Sequence, residues 1–206
     1  MSGRAGETPD RTPGLTLVSG EGRPYRFDPG TLCLELTVTG GPGALARWEV
    51  LHEPSDLVAW AGRSRLPEGL DLTVSAVELE RARTLRDAVF LIAADRAHGR
   101  PLQAAHLDVV NAAAAEPPLI ARVEPDGVRA WAPGATGTHL LSTVARDAID
   151  LFTGPGADRV RECGARNCHL VFVDTSRPGR RWCVMEHCGN REKVRAHRAR
   201  NAPAKP

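Results

Sequence analysis

From residue 31 onward the chain switches between short runs with a two-residue apolar repeat and longer runs with a helical one. Residues 31–39, Thr-Leu-Cys-Leu-Glu-Leu-Thr-Val-Thr, put Leu32, Leu34, Leu36 and Val38 on one face and Cys33 and Glu35 on the other, which is the period of a strand. Gly40-Gly-Pro-Gly43 breaks it. Residues 45–51 then read as a second extended piece completing a hairpin, with Ala46, Trp48 and Val50 facing inward. Helical spacing takes over at Pro54-Ser55-Asp56: Leu57, Trp60 and Ala61 fall at i, i+3 and i+4, predicting a helix to about Arg63. A linker with Pro67 and Gly69 leads to Ser75-Ala-Val-Glu78, a capping box in which serine and glutamate each cap the other's backbone. It opens a helix to about His98, with Leu85, Ala88, Val89 and Ile92 along one face, ended by Gly99 and Pro101. The next helix covers about residues 102–115, with Leu107, Val110 and Asn111 near one stripe, and stops at Pro117-Pro118. Residues 119–124 and 128–132 flank Pro125-Asp126-Gly127, a turn in which proline fixes φ and glycine accepts a positive φ, so a hairpin is predicted. An amphipathic helix over about Thr138–Phe152 follows, with Leu141, Val144, Ala145, Ala148 and Phe152 on its core face, and Gly154-Pro-Gly156 interrupts it.

This pattern predicts an α+β fold: a mostly helical N-terminal domain with short β-hairpins, then a small C-terminal module ending in a basic helix. Of the 206 residues, 42% are hydrophobic but only 4% aromatic, so the core must be built from Leu, Val, Ala and Ile. Residues 1–24, rich in Gly, Pro, Thr, Arg and Ser, read as a flexible lead-in without chemistry. The main domain is placed at 25–156, the C-terminal module at 157–201 and a short tail at 202–206. No apolar leader and no apolar run long enough to span a bilayer are visible, so a cytoplasmic chain without a membrane partner is expected.

Cysteine and charge change the picture most. Four of the five cysteines fall as Cys163-x4-Cys168 and Cys183-x4-Cys188. Two short loops each offering two thiolates suit the tetrahedron that zinc prefers, and four protein ligands leave no open position, so one structural Zn²⁺ is expected. His169 and His187 adjoin the cluster, and either could replace a thiolate in a Cys3His site; four reduced, metal-free thiols are the bland alternative. Cys33 reads as a packed thiol. His52, His98, His106 and His139 are scattered over different elements and read as surface or core-edge residues. Residues 163–206 hold ten Lys and Arg against three Asp and Glu, net +7, whereas residues 1–162 are net −5. Only the C-terminal part therefore seeks a polyanion. No nucleophile elbow, P-loop, zinc-protease helix or dinucleotide glycine fingerprint is present, so no enzyme is expected.

In order, Cys168-His-Leu-Val-Phe172-Val-Asp174-Thr-Ser176, Arg180-Arg181-Trp182-Cys183 and Cys188-Gly189-Asn190-Arg191 resemble the CGNR zinc-finger family over about residues 158–201. The region upstream is similar to the ABATE domain of proteins regarded as stress-induced transcription regulators. That similarity rests on residues 32–39, Asp56-Leu-Val-Ala-Trp60, the Asp126-Gly127 hairpin and the helix through Leu151. Where the family opens Asp-Phe-Val-Asn-Thr, this chain has Glu35-Leu36-Thr37-Val38-Thr39. The resemblance implies a zinc-bound module that binds nucleic acid on an α/β domain, and no enzyme.

The residues expected to meet nucleic acid are Arg177, Arg180 and Arg181 from the inter-cysteine loop and Asn190, Arg191, Lys193, Arg195, Arg198 and Arg200 from the basic helix. Arg191, Arg195 and Arg198 share one helical face. Most would contact phosphates, while Asn190, Arg191 or Arg195 could read base edges. Arg191 has two structural alternatives, holding a cysteine sulfur or pairing with Asp174. Gly189 and Gly164 are expected to turn amides toward sulfur, and Phe172 and Trp182 to pack beside the metal site. The leading expectation is a zinc-dependent DNA-binding transcriptional regulator. An RNA-binding protein with the same finger and a protein-interaction adaptor are the alternatives. The N-terminal domain is left to sense a small-molecule effector or to form a homodimer.

Overall fold

The computed structural model describes residues 14–177 and 179–201; the expected tail at 202–206 and the first thirteen residues of the expected lead-in lie outside the described residues. The remainder of that lead-in is ordered into structure. β1 (Leu15–Val18) pairs antiparallel with β2 (Pro24–Phe27), Leu15 opposite Phe27 and Val18 opposite Pro24. Ser19 holds the turn, its Oγ accepting from the amides of Glu21 (3.3 Å) and Arg23 (3.1 Å), while Gly22 takes φ 77°. Phe27 is buried, so the hairpin has an apolar anchor that its polar composition concealed.

A second departure follows directly. Residues 31–39 are not a strand but α1 (Leu32–Leu36) and a 3-10 turn over Thr37–Thr39. All five side chains of α1 are buried, Glu35 included, and a segment buried all round carries no period that separates helix from strand. Distant groups fix the helical choice. Asp147 Oδ2 accepts the Cys33 amide at 2.8 Å, and the Thr37 and Thr39 hydroxyls donate back to the carbonyls of Leu34 and Leu36. The hairpin expected over 45–51 is absent too: Gly43–Trp48 is a 3-10 turn, and Trp48 and Val50 are exposed. Gly40, at φ 141°, lets the backbone pass the buried Arg86 guanidinium; a Cβ there would lie 2.8 Å from Arg86 Nη1. Arg86 in turn pairs with Glu49 at 2.8 Å and Asp87 at 2.9 Å.

Elsewhere the predicted elements form. α2 (Pro54–Arg63) starts at a reciprocal Glu53–Asp56 cap and buries Leu57, Trp60 and Ala61. β3 (Leu72–Thr73) precedes α3 (Ala76–Ala97), whose Ser75–Glu78 capping box is intact and which stops at Gly99, φ 65°. α4 (Ala104–Ala115) buries Val110 but leaves Asn111 exposed. β4 (Ala121–Val123) and β5 (Arg129–Trp131) form the expected hairpin, with Gly127 at φ 81°. β6 (Ala135–Thr136) pairs parallel with β3 and leads into α5 (Gly137–Thr153). α3, α4 and α5 pack on one another and on α1 and α2 around one aliphatic core.

β7 (Val160–Glu162) and β8 (Val171–Val173) form an antiparallel pair whose Val160 and Val171 enter that core. The finger is thus seated on the helical domain through β7, which packs on α3. Glu162 bridges the two parts, meeting His98, the residue that follows α3, at 2.8 Å and His169 at 3.0 Å. A π-type turn, Met185–Gly189, runs into α6 (Asn190–Arg200). Among the described residues no helix is long and apolar enough to cross a membrane.

Candidate metal centre

Cys163 leaves β7, Cys168 closes a short turn before β8, Cys183 follows the loop after β8, and Cys188 lies in the π-type turn before α6. Their sulfurs converge until all lie within 4.8 Å of one another. Cys163, Cys183 and Cys188 are buried and Cys168 is partly so. The Sγ atoms of Cys168 and Cys183 are 3.7 Å apart. A tetrahedron with Zn–S bonds of about 2.3 Å needs sulfurs about 3.8 Å apart, whereas a disulfide needs about 2 Å. The four sulfurs therefore fit one structural zinc and are not bonded to each other.

The electrostatics ask for a cation. Hydrogen bonds from Cys168, Cys183 and Cys188 hold the Cys163 thiol far below its ordinary range. The contact with Cys163 drives the thiols of Cys168 and Cys183 far above theirs; at Cys188 the same contact is outweighed by hydrogen bonds from Cys168 and Cys183, which hold it below its ordinary value, so the four do not ionise together unaided. Zn²⁺ removes this conflict by binding every sulfur as a thiolate. Four thiolates on a divalent ion leave two excess negative charges. The Cys183 amide, 3.4 Å from Cys163 Sγ, and Arg191 Nη2, 3.6 Å from Cys188 Sγ, are placed to offset them. The N-terminus of α6, directly after Cys188, adds a partial positive charge.

The expected amide donors differ. Gly189 N–H points to the Val184 carbonyl and Gly164 N–H to that of Arg181, not to sulfur. Gly189 has an ordinary helical φ of −61°; it is glycine because a Cβ would collide with Met185 Sδ. Neither histidine joins the site. His169 Nδ1 is taken by Glu162, and the His187 ring lies flat on Tyr25.

Around the sulfurs lies a small apolar cluster. Phe172 is fully buried in it with Cys163, Cys183 and Cys188, and Trp182 packs against the cluster. Asp174, next along from β8, organises the loop to Cys183. It accepts from Ser176 N (3.0 Å), Ser176 Oγ (2.7 Å) and Arg180 N (2.6 Å). Burial pushes its carboxyl up, but these donors win and hold it below the usual range. The Asp-x-Ser spacing is thus a loop clamp, and Arg191 does not need Asp174 as a partner. Arg180 lies over the Phe172 ring at 4.1 Å.

The hairpin β1–β2 belongs to this cluster as well. Phe27 is part of it, and Leu17 and Tyr25 pack against it. In the sequence this segment carries one signal, the alternation in Leu15-Thr16-Leu17 and Tyr25-Arg26-Phe27.

The basic side chains take two positions. Arg177, Arg181, Lys193, Arg198 and Arg200 are exposed, while Arg180, Arg191 and Arg195 are partly buried. Arg195 pairs with Glu192 within α6, and Asn190 Nδ2 reaches the Glu186 carbonyl at 3.4 Å. The face containing Arg191 and Arg195 thus leans toward the protein, and Lys193, Arg198 and Arg200 stand outermost. No residue of α6 is buried.

Two comparisons bear on this arrangement. A family model described as "ABATE: Putative stress-induced transcription regulator" matches residues 30–155, and a second, "CGNR zinc finger", matches residues 159–201. No curated protein matched the chain.

Proposed function

Since the chain belongs to the ABATE family and ends in a CGNR zinc finger, we propose that it is a DNA-binding transcriptional regulator whose finger is held by one structural zinc. The observation carrying this reading is α6 itself. Five Lys and Arg stand against one Glu over eleven residues, no side chain is buried, and the helix is anchored at one end to the cysteine cluster. A solvated, rigidly aimed cationic rod of this kind neutralises phosphates and releases counterions. Arg177 and Arg181 extend the same charge onto the loop after β8. The metal acts as scaffold: with four sulfur ligands it offers no position for a reacting water. These contacts supply affinity, while base reading falls to the exposed Asn190 at the start of the helix, Arg191 being held against Cys188.

Changing Lys193, Arg198 and Arg200 to alanine together tests the reading. Binding to duplex DNA should weaken, and the slope of log affinity against log salt should shrink by about 0.9 for each phosphate contact removed. Zinc content should not change. Full-strength binding by this variant would show that α6 is not the contact surface.

A further inference from the structure

A groove of about 1060 Å³ lies between the three parts of the molecule. β1 and Tyr25 form one wall. The turns over Thr37–Gly40 and Gly43–Trp48, with the end of α2, form the other. The loop of Cys168 and the ring of His187 close it at the finger. Residues 14–20 of this lining precede the stretch matched by either family model, so the wall formed by β1 lies outside the family match while the opposite wall lies within it.

Its chemistry has two components. Leu17, Val38, Trp48 and Val50 line it, and Trp48 and Val50 are 42% and 48% exposed. Five arginines against two carboxylates, Asp56 and Glu68, also line it. One of these acids is already satisfied, since Asp56 Oδ2 accepts the amides of His52 and Glu53 at 2.7 and 2.8 Å. Arg65 is spent on Glu35 and Asp28, Arg47 lies over the Trp48 ring at 5.4 Å, and the charge of Arg63 acts on the Asp56 carboxylate. Arg191, at the finger end, has its Nε buried without a hydrogen-bond acceptor.

We infer that this groove binds a small amphipathic carboxylate, whose apolar body lies on Leu17, Val38 and Trp48 and whose anionic group is held by arginine. A groove of this size at the junction of structural units, with apolar and cationic side chains lining it together, suits such a ligand. The surplus of arginine selects an anion over a neutral or cationic amphiphile. Because Arg191 both lines the groove and touches Cys188 Sγ, an occupant would also bear on the start of α6. That second consequence, control of nucleic-acid binding, rests on the function proposed above; ligand binding itself does not.

Calorimetry on the zinc-loaded full chain, without DNA, tests the site with three probes of equal chain length: decanoate, decanol and decyltrimethylammonium. Decanoate should bind at least about tenfold tighter than decanol, as one charge-assisted contact implies, and the ammonium should bind weakest. Arg47→Glu combined with Arg63→Glu should erase that preference, and Val50→Trp should block all three, with circular dichroism unchanged because these side chains are exposed. Equal affinity for the three probes, or decanoate binding untouched by both variants, overturns the inference. So does a charge-reversed variant that loses oligonucleotide affinity while keeping decanoate, which would make the groove a nucleic-acid channel. A chain that binds decanoate but no DNA would leave the groove standing and sink the regulator.

Discussion

Tyr25 of the N-terminal hairpin stacks on His187 of the finger, ring centroids 4.3 Å apart and planes 13° from parallel. The two residues are 162 positions apart, and one lies next to a metal ligand. Burial beside the cluster pushes the Tyr25 phenol well above its ordinary range, so it stays neutral and acts as an apolar plate. The finger is therefore closed by a segment from the opposite end of the chain.

Phe27→Ala should destabilise the finger by about 3–5 kcal/mol, the usual cost of emptying a buried aromatic site. The expected readout is faster zinc transfer to a colorimetric chelator, with the helical core melting nearly as before. Tyr25→Phe keeps the plate and should behave as wild type. Unchanged zinc release in Phe27→Ala would mean that the hairpin contributes nothing to the metal site.

Cys188→Ser should lose the bound zinc and unfold the finger, since a site of four ligands supplies folding energy that this small cluster lacks. Cys33→Ser should retain full metal content. Cys33 is buried in the helical core, where burial holds its thiol up and the Asp147 carboxylate adds to the effect. Metal analysis of the two purified variants distinguishes them; normal zinc in Cys188→Ser would rule out the four-thiolate site.

Arg65 ties three segments together. It meets Glu35 at 3.0 Å, Asp28 at 2.7 Å and the Gly30 carbonyl at 2.8 Å. Glu35 is 1% exposed, and burial raises its carboxyl despite the arginine. Arg65→Ala strands that buried acid and should cost about 3–5 kcal/mol by denaturant titration. Adding Glu35→Gln should recover part of the loss; if the two changes simply add, the pair is not coupled.

Glu78 joins α3 to α5. Although burial opposes it, donors from Ser75 and Thr138 hold its carboxyl down at about 2, against 4.5 for an ordinary glutamate. Its amide contacts are 2.8 Å from Ser75 and 2.7 Å from Thr138. A depressed folded pKa stabilises above the unfolded value and is lost as pH falls through the folded one. The stability gap between wild type and Glu78→Gln should therefore be full above about pH 5 and close toward about pH 2. A gap independent of pH over that range would remove the ionised carboxylate from the explanation.

What the sequence by itself determined are features whose causes lie within a few residues. Ser75 and Glu78 cap one helix at a separation of three, Pro125-Asp126-Gly127 turns one hairpin, and each cysteine pair spans four intervening residues. Such signals survive without tertiary context because both partners are local. Residues 14–51 behave otherwise. α1 is helical because Asp147 caps it and because apolar neighbours surround it. The β1–β2 hairpin persists because Phe27 finds the cysteine cluster, and the 3-10 turn at Gly43–Trp48 follows a path set by the buried Arg86. The same contrast runs through the metal centre. The ligands were legible as two spaced pairs, but the cation beside sulfur, the histidine partners and the outermost edge of α6 depended on contacts between distant segments, which only burial in the folded chain creates.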